Sequence, residues 1–244
     1  MLKFSVVIPI YNEEESIRPL YFSLRNVMGK LGQSYEIIFV NDGSNDKTIE
    51  VLYSIDTEST NLVIVDLEKH SGKSQAMQSG FDTAQGELII TIDGDMQYDP
   101  NDIPRLLEKM REGNDAVCGW RYKRMDPWIK KISSKIAVTV RRLITGERLH
   151  DPACNLAIFK KEILRNVYLS NGMHRFLMLI VLKLGYTVAE VKVSHRPRRF
   201  GESKYNIRNR LFQGIVNLVD LSLFDIRQLI KRKLEHEIGE IINK

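Results

Sequence analysis

The sequence predicts an α/β fold in which a mostly parallel central sheet carries helices on both faces. Three observations predict it. Short, nearly continuous apolar runs rich in β-branched residues recur through the first half of the chain: Ser5–Ile10, Glu36–Val40, Leu62–Val65, Leu88–Ile92 and Asp115–Cys118. Strands covered on both faces read this way. Segments of helical spacing separate them, roughly Glu14–Leu31, Asp46–Asp56, Lys73–Ala84 and Asn101–Arg111, and that alternation is the pattern of parallel strands joined by helical crossovers. The punctuation agrees. Gly32, Gly86 and Gly113 follow helical segments, where a left-handed cap favours glycine. Asp99-Pro100 reads as an N-cap and first helical position. The second half is less regular. Ile129–Ile144 has helical spacing, Leu156–Phe159 and Val188–Val193 read as strands, and Met173–Leu184 reads as a helix closed by Gly185.

At 244 residues, with 43% hydrophobic and 27% charged residues, the chain suits one large α/β domain with a short appended segment. It is long enough to bury a core without covalent staples. Two cysteines, Cys118 and Cys154, are too few for a disulfide framework, and reduced thiols in a cytosolic protein are the simpler expectation. No signal peptide is evident, and no stretch reaches the ~18–20 apolar residues needed to span a bilayer, so the expected protein is soluble or peripheral. The net charge of +5 suits an anionic partner such as nucleic acid, a nucleotide or an acidic membrane face. The excess lies in two blocks. Residues 120–135 hold Arg121, Lys123, Arg124, Lys130, Lys131 and Lys135 against Asp126; residues 195–210 hold Arg196, Arg198, Arg199, Lys204, Arg208 and Arg210 against Glu202.

Ligands of open α/β sheets bind at the carboxyl ends of the strands, so the polar clusters just after each strand carry the chemistry. They are Pro9-Ile10-Tyr11-Asn12-Glu13-Glu14, Asn41-Asp42-Gly43-Ser44-Asn45-Asp46 and Asp93-Gly94-Asp95-Met96-Gln97. A lone Asp-x-Asp is weak evidence. Here it follows an apolar strand, and residues i and i+2 on an extended tip point the same way. Two hard carboxylates beside a diphosphate suit Mg²⁺ or Mn²⁺, with Gln97 as a further oxygen. The plain alternatives are a simple turn at Asp42-Gly43 and a helix cap at Asp46. The Gly72-Lys73-Ser74 triplet is not a phosphate-binding P-loop, because Leu67 stands where that pattern needs glycine.

In order and spacing, "VVIPIYNEE", "IIFVNDGSND", "GELIITIDGDMQYDP" and "HRPRRFGESKY" resemble glycosyltransferase family 2. The likeness is greatest to polyprenyl-phosphate sugar transferases of the dolichol-phosphate mannosyltransferase type, and it spans roughly residues 3–210. It implies a GT-A type, Rossmann-like nucleotide-sugar-binding domain over residues 1–206, followed by C-terminal amphipathic helices over 207–244. It implies that Pro9, Tyr11 and Glu13 border the nucleotide, that Asp42 contacts the base, and that Asp93 lies near ribose and phosphate. Asp95 and Gln97, with Asp93, would hold the metal. Gly72 and Lys73 fall in a loop that lies near the nucleotide in such enzymes.

The same resemblance assigns the basic blocks to an acceptor phosphate. Arg121 and Arg124 would meet it, Ser134 and Lys135 match a Ser-Arg pair with lysine in place of arginine, and Arg199, Ser203 and Lys204 belong to a loop that closes over both phosphates. The bland alternative is two solvated basic loops. Asn155-Leu156-Ala157 departs from the Gly-Phe-Arg of many relatives, which weakens any assignment of mannose. His174-Arg175-Phe176 would line the acceptor side or simply begin a packed helix. An acceptor phosphate is already ionised near neutrality, so it needs positioning rather than a general base. The implied reaction is an inverting transfer from a nucleotide sugar (GDP-mannose, UDP-glucose or UDP-N-acetylglucosamine) to a polyprenyl phosphate. Its alternatives are transfer to a glycan hydroxyl and a non-catalytic nucleotide-sugar sensor. The basic, amphipathic stretch from Ile207, through Leu211, Ile215, Leu218, Leu223, Phe224 and Ile230, fits an interfacial helix or a packed one. The expected setting is the cytoplasmic face of a membrane, with a homo-oligomer or a separate membrane subunit as partner and no nucleic acid.

Overall fold

The computed structural model describes residues 2–56, 61–122, 149–169 and 172–197. Seven strands form one sheet: β1 (Phe4–Ile10), β2 (Tyr35–Asn41), β3 (Leu62–Asp66), β4 (Leu88–Thr91), β5 (Ala116–Arg121), β6 (Ala157–Lys160) and β7 (Val188–Val193), in the order β3-β2-β1-β4-β6-β5-β7. All run parallel except β6, which lies antiparallel to both β4 and β5. The expected mostly parallel α/β sheet is the one observed. The strand ends of β1, β2, β4 and β5 therefore open on one edge, and the reversed β6 brings its beginning, next to Asn155, to the same edge.

Helices α1 (Ile17–Lys30), α2 (Thr48–Asp56) and α4 (Ile103–Arg111) cover one face; α3 (Lys73–Thr83), α5 (Lys161–Leu164) and α6 (Leu177–Lys183) cover the other. The alternation of strand side chains divides the core accordingly. Val6, Ile8, Ile37, Phe39 and Ile90 pack with Ile17, Leu20, Leu24, Leu52 and Leu106, while Val7, Ile38, Val40 and Ile89 pack with Ala76, Met77, Phe81, Leu177 and Ile180. Each large side chain fully withdrawn from water here contributes roughly 1.5–3 kcal/mol.

Element ends differ from the sequence expectation by a few residues, and three local features differ from it in kind. The helix expected from Asn101 begins as a 3₁₀ turn, Pro100–Asp102, where Asp99 accepts a hydrogen bond from Asn101 N at 3.0 Å before α4 starts. The helix expected over Met173–Leu184 splits into a 3₁₀ turn, Met173–Phe176, and α6. Gly86 is not a left-handed cap, unlike Gly32, Gly113 and Gly185, whose φ values are positive. It is required by a close approach: a Cβ there would lie 2.5 Å from Phe4 C and 2.6 Å from Ser5 N. Beneath it, Gly86 N donates to Ser5 Oγ, and Ser5 Oγ and Gln85 N both donate to the buried Glu36 carboxylate. The helix expected over Ile129–Ile144 and the C-terminal segment 207–244 lie outside the described residues.

Pro9 stands in a central strand, where proline removes a ladder donor. The register explains it. Ile92 N donates to Val7 O on the β4 side and Asp42 N donates to Ile10 O on the β2 side, so Pro9 faces β4 beyond Thr91, where that strand has ended. The cysteines are free and buried; burial pushes the Cys154 thiol up to about 12 and raises Cys118 as well, so both stay protonated.

Gly86→Ala should cost about 2–3 kcal/mol and lower Tm by roughly 5–10 °C. Gly29→Ala, in α1 with open space around its Cβ, should be neutral or stabilising by up to about 1 kcal/mol. Thermal unfolding of the two variants checks the contrast.

Candidate functional site

The ends of β1 and β2 are stitched by side chains. Asn12, with φ of 52°, donates through its backbone N to Ser44 Oγ at 2.8 Å and through Nδ2 to Asn45 Oδ1 at 2.7 Å, and its Oδ1 accepts from Asn45 N at 2.9 Å. Glu13 N donates to Thr48 Oγ1 at 2.9 Å, and the Glu13 carboxylate accepts from Ser16 Oγ at 3.0 Å. Two strand tips that would otherwise fray are thereby fixed against each other.

Asp42, only 2% exposed, organises the next layer. Its Oδ1 accepts from Ser71 N at 2.7 Å and its Oδ2 from Gly72 N at 2.9 Å, and His70 Nδ1 lies 2.9 Å from Oδ2. The His70 ring stacks on Tyr11 with centroids 4.0 Å apart. Gly43, at φ of 63°, permits this packing, because a Cβ would sit 2.5 Å from His70 N. The carboxylate expected at a base is thus committed to the loop that precedes α3, and that loop delivers Lys73.

Lys73 Nζ pairs with Asp93 Oδ1, and Asn155 Nδ2 donates to Asp93 Oδ2 at 2.9 Å. Burial pushes the Asp93 carboxyl up, but the Lys73 charge and the hydrogen bonds from Lys73 and Asn155 outweigh it and hold the group below the usual carboxylate range. Gly94 lets the tip lie against β1, since a Cβ there would meet Ile10 Cγ2 at 2.6 Å. Asp95 Oδ1 accepts from Gln97 N at 3.1 Å, and Met96 takes a left-handed φ of 57° to make that turn. Among the described residues no group of three or more His, Cys, Asp or Glu is gathered as a metal cluster. A site of one or two carboxylates completed by phosphate is what Mg²⁺ ordinarily uses. Asp95 and Gln97 fit that donor set; Asp93, paired to an ammonium, fits it less directly.

The second basic block starts at this tip. Arg196 N donates to Gln97 O at 2.9 Å, Gln97 Nε2 to Arg196 O at 3.3 Å, and the Arg196 guanidinium pairs with Asp99. Tyr98 bridges to His195, and Ser194 N donates to Asp102 at 2.7 Å. The chain therefore leaves residue 197 from beside Asp95 and Gln97. Arg199, Ser203 and Lys204 lie outside the described residues, as do Arg124, Ser134 and Lys135.

Arg121 stands apart from the nucleotide side, at the end of β5. Its Nε and an amino nitrogen grip Asp151 at 2.6 and 2.8 Å, and its backbone N also donates to that carboxylate. Burial lowers the guanidinium pKa, but Asp151 more than offsets this and holds it above the ordinary value. Two of its donors are spent on an internal pair, so the fork is not wholly available to a phosphate. Tyr98 links the two regions: its hydroxyl accepts from Asn155 N at 3.3 Å. The structure thus brings Pro9, Tyr11, Glu13, Asp42, Gly72, Lys73, Asp93, Asp95 and Gln97 to one edge.

Sequence reasoning missed the roles of Asn155 and His70, and left His174 between two readings. His174 Nδ1 lies 2.8 Å from Ser74 Oγ, beside Lys73. Burial, then the nearby Lys73 and Arg175 charges, lower its pKa to about 3, so the ring is neutral at physiological pH. The one available signal for Asn155 was its place just ahead of a strand, and that became informative only with β6 known to be reversed.

The signature described as glycosyl transferase family 2 matches residues 5–168. The chain is 39% identical over 228 residues to a dodecaprenyl-phosphate galacturonate synthase of Rhizobium johnstonii, covering 91% of this chain and 67% of that protein. Its fold is similar to that of glucosyl-3-phosphoglycerate synthase from Mycobacterium tuberculosis. The complex with Mn²⁺, UDP and phosphoglyceric acid matches with a TM-score of 0.65 at 21% identity, covering 81% of this chain and 72% of that one. The complex with Mn²⁺, UDP and glucosyl-3-phosphoglycerate matches at 0.69 and 18%, covering 91% and 79%. These neighbours are GT-A folds.

Asp42→Ala should release the loop before α3. Hydrogen bonds to a charged acceptor are worth about 1.5–3 kcal/mol, so amide exchange at Ser71 and Gly72 should speed at least ~10-fold, with Asp42→Asn intermediate. Hydrogen-exchange mass spectrometry with peptide coverage of residues 69–73 measures it.

Proposed function

We propose that this chain, which belongs to glycosyl transferase family 2 and is a glycosyltransferase, moves a sugar from a nucleoside diphosphate to a polyprenyl phosphate. The observation that carries the reading is the single edge on which Asp42 fixes the Lys73 loop, Lys73 and Asn155 fix Asp93, and Asp95 and Gln97 adjoin the root of the second basic block. The similarity to a dodecaprenyl-phosphate galacturonate synthase supports the acceptor class and adds a nucleotide hexuronate to the donors expected from the sequence. Among the described residues no helix is long and apolar enough to cross a membrane. We place the protein at the cytoplasmic membrane surface, held there by the basic blocks and the segment 207–244.

In this scheme Tyr11, with His70 stacked on it, and Pro9 border the nucleoside. Lys73 supplies positive charge beside the diphosphate while keeping Asp93 ionised. Asp95 and Gln97 would hold Mg²⁺ or Mn²⁺, which neutralises charge building on the leaving diphosphate. An acceptor phosphate oxygen, already deprotonated, forms a bond to the anomeric carbon as the bond to the nucleoside diphosphate breaks. The displacement is in line and inverts the anomeric centre. Arg124, Ser134, Lys135, Arg199, Ser203 and Lys204 screen the two phosphates from each other, and electrostatic positioning of this kind is the main demand of the step. Arg121 anchors the start of the acceptor block through Asp151 and presents its remaining donors to that side.

Asp95→Ala should lower transfer about 10²–10³-fold, while Arg124→Ala should raise KM for a short polyprenyl phosphate with donor affinity unchanged. Arg121→Ala should differ from both: it strands the buried Asp151 carboxylate and should lower Tm together with activity. Transfer assays with a panel of UDP- and GDP-sugars, with product anomer by NMR, measure these effects; a retained anomeric configuration or no polyprenyl product rejects the scheme.

A further inference from the structure

The turn Met173–Phe176 brings against the start of α3, next to Lys73, a polar side chain that the transfer scheme leaves unused. His174 N donates to Ser74 Oγ at 3.3 Å, and the same oxygen lies 2.8 Å from His174 Nδ1. A serine hydroxyl has one proton to give. The oxygen's two lone pairs could accept from both the backbone N–H and a ring N–H, but the hydroxyl proton has no acceptor other than Nδ1 among the described residues and is assigned there. Nδ1 is therefore the acceptor and the ring proton sits on Nε2. Nε2 has no hydrogen-bond partner among the described residues, and it is not among their buried, unsatisfied side-chain atoms. The result is a ring donor beside Lys73, unpartnered among the described residues and not sealed from solvent.

Its neighbours locate it. Ser74 follows Lys73 at the start of α3, and Lys73 reaches Asp93. In the proposed function, on which this inference rests, the nucleoside belongs with Tyr11 and Asp42 at the β1–β2 end. The diphosphate belongs with Lys73 and Asp95. The volume beside Asp93 toward the Met173–Phe176 turn is then left for the sugar. We propose that His174 is a specificity-determining residue for the donor, its Nε2–H donating a hydrogen bond to an oxygen of the transferred sugar. The ring stays neutral because it is buried and flanked by Lys73 and Arg175, so it selects by the position of an oxygen and adds no charge. That oxygen belongs to a ring hydroxyl or to a hexuronate carboxylate, and the two are separable by experiment.

The test is binding of the full chain to nucleotide and nucleotide sugar without acceptor, so a wrong acceptor assignment leaves it intact. The probes are UDP, GDP, the UDP- or GDP-sugar that wild type binds best, its deoxy analogues, and the hexose–hexuronate pair. His174→Phe keeps a flat ring without a donor; His174→Gln can return an amide N–H near the Nε2 position. The expected result is a 10–100-fold loss of nucleotide-sugar affinity in His174→Phe, with sugar-free UDP or GDP within about twofold and Tm lowered by a few degrees because the Ser74 hydroxyl loses its acceptor. His174→Gln should recover most of the loss. One deoxy analogue should bind wild type and His174→Phe equally well, which names a hydroxyl. Equal binding of the hexose, but not the hexuronate, by the two proteins names the carboxylate. Unchanged nucleotide-sugar affinity in His174→Phe, or a matching loss for the sugar-free nucleotide, overturns the proposal.

Discussion

A carboxylate withdrawn wholly or partly from water is tolerated only when its oxygens are bonded, and the candidate edge of this protein is arranged around two such groups, the buried Asp42 and the partly buried Asp93. Asp42 meets the demand with the backbone N–H groups of Ser71 and Gly72, and Asp93 meets it with Lys73 and Asn155. These bonds tie residues from β2, the loop before α3, the tip of β4 and the approach to β6 into one rigid rim. Without them the polar strand ends would be separate loops on a common edge. With them, the position of Lys73 relative to Asp95 is set before any ligand arrives, which is the preorganisation that a charge-separating transfer requires.

Two glycines let the rim close, and a third works at the opposite edge. Gly43 and Gly94 leave no room for a Cβ against His70 and Ile10, and Gly86 does the same against the backbone of β1 at the opposite edge. Pro9 is tolerated because β4 ends one step earlier, and that early end is also what frees Asp93-Gly94-Asp95 to turn out of the sheet. Strand length, backbone approach and the placement of the acidic tip are therefore one constraint, expressed in residues that lie far apart in sequence.

Much of the fold was legible because helical and strand periodicities alternate cleanly through β5, and the polar strand tips read from the sequence do share one edge of the sheet. What was hidden depends on long-range contacts. The reversal of β6 cannot be read from its apolar run, so Asn155 gave no sign of reaching Asp93. The grip of Arg121 on Asp151 joins a residue at the end of β5 to one beyond the basic block, and it commits part of the guanidinium fork to an internal pair. Ser74 and His174 are a hundred positions apart, and only the packing of the Met173–Phe176 turn on α3 brings them together. Gly86 read as a cap because it follows a helix; its actual role, a close approach to Phe4 and Ser5, leaves no local trace.

The central claim is that the acidic tip of β4 seats a divalent cation together with a sugar nucleotide's diphosphate. The most direct measurement is a manganese anomalous-difference map from crystals grown with Mn²⁺ and the nucleoside diphosphate that binds best. The account predicts a single strong peak between the Asp95 carboxylate and the diphosphate, with the nucleoside against Tyr11. Nucleotide bound at that edge with no manganese beside Asp95, or manganese and nucleotide together on another face, would contradict it.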